Sequence, residues 1–458
     1  MTTPLLQRTR TVSVIIFVLA VLVRVTLLAT VYDDLRHGSA RVYGATAIGL
    51  AMGDGLTYHD QEIEEIAVLD NNTSGDYLGF YEPEGRQPLV EFLPGPAILL
   101  GGLWKVLPFH NFTPYLVMQI VLESALLAFL FLALSRVDLG LALWTSLVMV
   151  VNVATIKRTL MMGYDFWPQF AVLALFIVSL FMLKKRGGVG WCLLAGLLAA
   201  VPFWFRNLTF LLPFFMVPAF VYLWRRRRLS WFVVAKRAAA FIVPVLVMLA
   251  LVSAYRYDTT GNARPTRSTF WHSFFAGVGQ FSNPYGVDHT DMGVWEFGRR
   301  LNEELRDYNL VEQGERPNSL YEETLKAEAM RFVRSYPGLF VRNWVYRIGI
   351  MISPVLYTHG DLIPGNLSRA LRPVGFLMLP LWLLGMFALH RRDRAAFWVS
   401  AAIYAHFFIA FGGFYVVGRV VLPFLFVSIL VYFAGLSAIP GLVRGRWPED
   451  MDRERACT

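Results

Sequence analysis

SVIIFVLAVLVRVTLLATV, residues 13–31, is the stretch that decides the fold. It follows the basic leader MTTPLLQRTRTV (1–12) and runs into Tyr32-Asp33-Asp34. A helix that crosses a bilayer needs roughly 20 mostly apolar residues, and this run supplies them. A secretory signal has a shorter apolar core and a small-residue cleavage site, so the reading predicts a retained first transmembrane helix. Runs of similar character recur near 114–135, 140–156, 167–183, 189–204, 208–224, 234–254, 373–389, 395–412 and 418–436. Composition agrees. The chain is 56% hydrophobic and only 16% charged, where a soluble chain carries about 25% charged residues. Too few charges remain to clothe a water-facing surface.

Two further apolar stretches, near 93–107 and 344–357, are about 14 residues long, the length of interfacial or re-entrant segments. Basic clusters decide whether they cross, because cytoplasmic loops carry an excess of Lys and Arg. Arg8 and Arg10 place the N-terminus inside, so the segment after the first helix is outside. If 93–107 does not cross, Arg136, Lys184-Lys185-Arg186 and Arg225 to Arg228 all fall inside; if it crosses, all fall outside. The same parity, applied to His390-Arg391-Arg392, keeps 344–357 from crossing. The expectation is an all-α polytopic membrane protein of about ten helices, within two either way, with both termini cytoplasmic. Three regions follow: 1–254 with a first outer loop at 32–113, a second outer segment at 255–372, and helices with a basic tail at 373–458. Each outer segment carries a half-embedded helix.

The net charge of +9 sits in short clusters between apolar runs, which suits topology rather than a nucleic-acid-binding face. Cys192 and Cys457 rule out a disulfide framework. In the second outer segment, Asn318-Ser319-Leu320-Tyr321-Glu322 has the pattern of a capping box. Leu325, Ala329, Phe332 and Val333 follow at helical spacing, and Pro337 closes that helix and opens another.

Some charges break the inside bias. Lys157, Arg158, Arg206 and Arg419 lie at the outer ends of helices, with Asp33, Asp34 and Asp165 on the same side. Singly, each is an ordinary interfacial charge. Together they bring carboxylates and cations from separate helices to one leaflet, and ionisable residues near membrane depth point to function. Arginines there suit a phosphate, and a carboxylate suits a general base or a metal ligand.

These features resemble the GT-C class of membrane glycosyltransferases, in the bacterial branch of aminoarabinose transferases and protein O-mannosyltransferases. The resemblance rests on Asp33-Asp34, on Tyr43 to Ala47 followed by Gly53-Asp54-Gly55, and on Leu93-Pro94-Gly95-Pro96-Ala97. It extends through Tyr164-Asp165-Phe166-Trp167-Pro168, Arg206 and Gly418-Arg419-Val420-Val421-Leu422-Pro423. The family usually places its first acid four residues before the Tyr; here that position is Ser39. The resemblance implies a polyprenyl-phosphate-sugar donor on the outer face of a bacterial plasma membrane, with membrane lipids around it. It implies Asp34 as base, Asp33 beside it and Asp165 as second acid. Arg206 and Arg419, with Arg158 in support, clamp the phosphate; Tyr43 belongs to the motif beside the substrate, and a divalent cation is a possible cofactor. Apart from the resemblance, Trp271 and His272 in the second outer segment read as an aromatic stretch that can stack on a sugar ring or bind an acceptor, or as a structural histidine with its neighbour.

His272, His289, Asp288 and Asp291 lack zinc-signature spacing. The acidic stretch Glu62, Glu64, Glu65, Asp70 and Asp76 reads as a solvated loop face. Two other functions fit the apolar bulk. A glycan polymerase or ligase would use a diphosphate-linked donor. A lipid or glycan transporter would show internal repeats or broken helices in matched positions, and the sequence shows neither. A non-catalytic assembly factor is the third rival.

Overall fold

A computed structural model describes residues 3–31, 38–68, 76–89, 93–161, 165–184, 187–261, 263, 270–305, 315–352, 365–412 and 422–443. The described chain is helical apart from short loops and one two-stranded antiparallel sheet, β1 (Thr57–Tyr58) with β2 (Gln87–Pro88). Among the described residues, six helices are long and apolar enough to cross a membrane. They are α1 (Thr3–Val31), α5 (Thr113–Leu134), α8 (Phe166–Lys184), α11 (Trp231–Thr260), α17 (Arg394–Gly412) and the last, α18 (Leu425–Val443). A seventh candidate is a bent pair, α6 (Leu139–Val151) with α7 (Val153–Thr159), broken by 58°. The other expected spans also fall on helices: α9 (Val189–Ala200), α10 (Leu212–Arg226) and α16 (Gly365–Arg392).

Local chemistry sets these boundaries. Ser230 opens α11 by accepting a hydrogen bond from the Val233 amide at 3.4 Å. Gly261 ends it at φ +71°, a conformation glycine adopts without steric cost. The break in the bent pair lies at Asn152, whose side chain accepts from the Thr155 amide at 3.0 Å and so starts a new helix inside an apolar run. The sequence reading took 140–156 as one straight span, and the transporter argument found no broken helix. Among the described residues this one is broken.

The chain forms two compact units. The first comprises Met1–Pro265, Leu383–Ser400 and Leu422–Thr458. At one end of it, α2 (Gly38–Met52), α3 (Asp60–Val68) and α4 (Gly95–Val106) pack over the start of α5, the start of α8 and the stretch after α9. The shared core is Tyr43, Ala47, Trp104, Tyr115, Phe166, Trp167 and Phe205. At 12 residues, α4 extends about 18 Å, short of a hydrocarbon core of roughly 30 Å. Pro94 and Pro96 start α4, and Gly95 lets it approach the backbone at Trp204, whose carbonyl oxygen would stand 2.6 Å from an added Cβ.

Basic clusters meet at other helix ends of the same unit. Lys184, at the end of α8, pairs with Asp393 at 2.9 Å. Tyr222 of α10 lies 4.8 Å, ring to ring, from Trp398 of α17. Clusters expected on one side of the membrane therefore share one end of the unit.

The second unit comprises Thr266–Trp382 and Ala401–Val421. It contains α12 (Phe270–Gly279), α13 (Asp291–Leu301), α14 (Glu315–Ser335) and α15 (Pro337–Ile352). Leu325, Ala329 and Phe332 are buried as the helical spacing predicts, against Phe275, Trp295 and Tyr321. Pro337 opens α15. The capping reading is corrected: Asn318 and Ser319 lie inside α14, and Glu322 instead accepts the Trp271 and His272 amides at 2.8 and 3.2 Å. Its carboxylate caps the start of α12, where the helix dipole favours negative charge.

Arg347 is buried in this unit. It donates to the Gln280 side chain at 3.3 Å, to the Gly412 carbonyl at 3.0 Å and to the Gly277 carbonyl. Burial pushes its guanidinium down to about 10, which still leaves it charged at neutral pH. The carbonyls at the ends of α12 and α17 supply the negative potential that a counter-ion otherwise would.

Candidate functional site

The site is built around Asp165, the residue before α8. Its Oδ2 accepts from Arg158 at 3.1 Å, and its Oδ1 accepts from Arg206. Arg158 sits in the last turn of α7. Arg206 sits in extended backbone after the 3-10 turn Val201–Trp204, held there by its amide bonding the Pro202 carbonyl at 2.7 Å. Three chain segments thus converge on one carboxylate.

The three side chains are 25%, 15% and 20% exposed for Arg158, Asp165 and Arg206. That is buried enough to strengthen their interactions and open enough for a ligand. Two guanidinium groups thus share one carboxylate. Such a group can hold a phosphate oxygen while the carboxylate keeps both forks oriented. Each oxygen of Asp165 faces a guanidinium.

Tyr43 is fully buried in the core of the first unit, packed with Phe166, Trp167 and Phe205, the immediate chain neighbours of Asp165 and Arg206. It stands in the core beside these segments rather than on an exposed surface. His272 belongs to the second unit. It is 8% exposed, bonded to the Tyr321 hydroxyl at 2.8 Å and to Asp291 at 3.2 Å, and it lies beside the stacked rings of Trp295 and Tyr321. It is a satisfied core histidine rather than a substrate group. Trp271 is half-buried beside it and contacts Phe270 and Phe274. Asp33, Asp34 and Arg419 lie outside the described residues.

Glu62 corrects the solvated-loop reading. It is fully buried and pairs with Arg86, which also donates to the Thr57 hydroxyl at 3.0 Å and the Thr57 carbonyl at 2.9 Å. This pair fastens α3 to the β-hairpin. Beside it the Tyr81 hydroxyl bonds Asp54, which raises its pKa above the ordinary tyrosine value. Asp76 accepts the Leu78 amide at 3.2 Å and pairs with His110 at 3.0 Å. Among the described residues, no three His, Cys, Asp or Glu side chains converge as a metal set.

One fully buried ion pair has no counterpart in the sequence reading. Arg24, about two turns before the end of α1, pairs with Glu123 of α5 at 2.7 Å, with 0% and 1% of the side chains exposed. Glu123 also accepts from the Thr159 hydroxyl, and from the Gln169 amide at 2.8 Å. The available signal was one cation and one anion, each alone inside an apolar run, which in spanning helices implies pairing.

No protein-family model matches the chain, and no curated protein matches it.

Proposed function

We propose that the chain is a membrane glycosyltransferase that takes a sugar from a polyprenyl-phosphate donor on the extracytoplasmic face. One observation carries the reading: Arg158 and Arg206, from separate segments, meet on Asp165 beneath the helices of the first loop. In the proposed step an acceptor hydroxyl or amine attacks the anomeric carbon and gives its proton to a carboxylate, for which Asp34 is the first choice and Asp33 the second. The bond from that carbon to the phosphate oxygen breaks, and the electron pair leaves on the phosphate. Arg158 and Arg206 stabilise that charge, a role in which fixed cations in a low-dielectric site act strongly. A divalent cation, if used, would draw on Asp33 and Asp34.

The purified protein is incubated with a panel of polyprenyl-phosphate sugars, and released polyprenyl phosphate is measured. Release by the native protein, and its loss in Asp34→Asn and Arg206→Gln, is the expected result. Near-normal transfer by both Asp34→Asn and Asp165→Asn, at normal expression, removes the proposal.

A lipid or glycan transporter is the second reading, favoured by the bent span and by the charge pair buried between helices. Movement of a labelled polyprenyl-phosphate sugar across vesicles, without release of its sugar, would select it.

A further inference from the structure

Glu123 and Arg24 have no part in the proposed chemistry, yet they connect to both sides of it. Thr159 follows Arg158 directly, and its hydroxyl bonds Glu123. Gln169 lies one helical turn beyond Asp165, and its amide bonds the other oxygen of the same carboxylate at 2.8 Å. Arg24 holds that carboxylate at 2.7 Å and reaches the Val150 carbonyl, just before the break at Asn152, at 3.3 Å. Gln119, one turn before Glu123, donates to the Thr159 carbonyl at 2.9 Å and the Met161 carbonyl at 3.2 Å with its amide oriented to satisfy both partners.

A bent span needs such groups. Where a helix breaks inside a bilayer, the freed backbone carbonyls have no water to bond and must find partners in the protein. With 7 residues, α7 is also too short to hold its own conformation. Its direction, and with it the direction of Arg158, is fixed from outside.

We propose that Glu123 is a positioning residue: one buried carboxylate, neutralised by Arg24, ties the helix end that carries Arg158 to the helix start that carries Asp165. This rests on the reading of Arg158, Asp165 and Arg206 as the donor-phosphate site. Loss of either tie lets the two segments shift apart, and the arginine fork no longer meets a phosphate in one geometry. Misplacement of about 1 Å costs up to ~100-fold in such sites.

The test measures the Kd for a polyprenyl monophosphate without sugar, the KM and kcat for the sugar-bearing donor, and the melting temperature. The protein is full-length, in one detergent. Thr159→Val removes the hydroxyl at constant shape, Thr159→Ser restores it, and Gln169→Leu removes the second tie. Thr159→Val and Gln169→Leu are expected to raise Kd and KM by roughly tenfold or more in the folded protein, alongside the lower melting that a lost buried hydrogen bond brings, with Thr159→Ser close to native in both. A purely structural role would lower melting and leave the Kd of the folded protein alone. Should Thr159→Val not fold, Gln169→Leu carries the same comparison. If both variants bind like the native protein while Arg206→Gln weakens binding, the positioning role falls and the site stands. If Arg206→Gln and Asp165→Asn also bind like the native protein, or the native protein does not bind, the site reading falls and takes this inference with it.

Discussion

Replacing Glu123 by Leu leaves Arg24 charged and alone between spanning helices. Both side chains are essentially unexposed, and the pair is close at 2.7 Å. Removing one partner of a buried pair costs about 3–5 kcal/mol, so Glu123→Leu and Arg24→Met should each destabilise by that amount. Independent sites would then lose about 6–10 kcal/mol together. The double variant should lose far less, because apolar residues of similar volume replace a buried pair well. What remains is the Gln169 amide without its acceptor and the Val150 carbonyl without its donor, about 1–3 kcal/mol each. Thr159 retains the Thr155 carbonyl at 3.0 Å as an alternative. The double variant should therefore lose about 2–6 kcal/mol, a coupling of roughly 4 kcal/mol against the additive expectation. Thermal or denaturant unfolding of all four proteins in one detergent closes the cycle. Additive losses would show that the two charges do not sense each other, and the buried network would have to be abandoned.

Two other substitutions address the walls of the site and the first loop. Gly95→Ala places a Cβ 2.6 Å from the Trp204 carbonyl and 2.8 Å from the Phe205 ring, directly before Arg206. A loss of about 1–3 kcal/mol from overpacking and a raised KM for the donor are expected, and unchanged values of both would show that α4 does not press on Arg206. Asp54→Asn should return Tyr81 toward ordinary tyrosine behaviour, since the hydrogen bond to Asp54 is the main cause of its raised pKa. The raised value keeps the phenol protonated just above pH 10.0. There the variant should show more tyrosinate absorbance than the native protein, and equal or lower absorbance would contradict the assignment.

Helix positions were largely legible because burial in lipid writes itself as long apolar runs, and six of the described helices are long and apolar enough to cross a membrane. Arg158 and Arg206 stood out in the sequence because the inside bias disfavours cations where topology put them, but their contact with Asp165 was not legible. Nor were partnerships across long stretches. Arg24 and Glu123 stand 99 residues apart, and nothing in either apolar run names the other. The break at Asn152 was hidden for a related reason: one polar residue in an apolar run scarcely changes its hydropathy, although its side chain caps a new helix. Glu62 looked solvated because its local neighbours are acidic, while its partner Arg86 arrives 24 residues later. Glu322 had the local pattern of a cap, and it is one, for a helix about 50 residues upstream.

The three groups joined at Arg347 bear on how the chain is made. The Gly277 carbonyl precedes Arg347 by 70 residues, and Arg347 precedes Gly412 by 65. Synthesis runs from the N-terminus, so one helix end waits for its arginine and the arginine waits again for the second. The second unit closes only after Gly412 has emerged, and the first unit later still, because it draws on Leu422–Thr458. Neither unit can be finished before the other has begun. A premature stop near residue 400 would therefore reach back to Gly277, and late truncations should be cleared by quality control as whole proteins rather than trimmed to a surviving half.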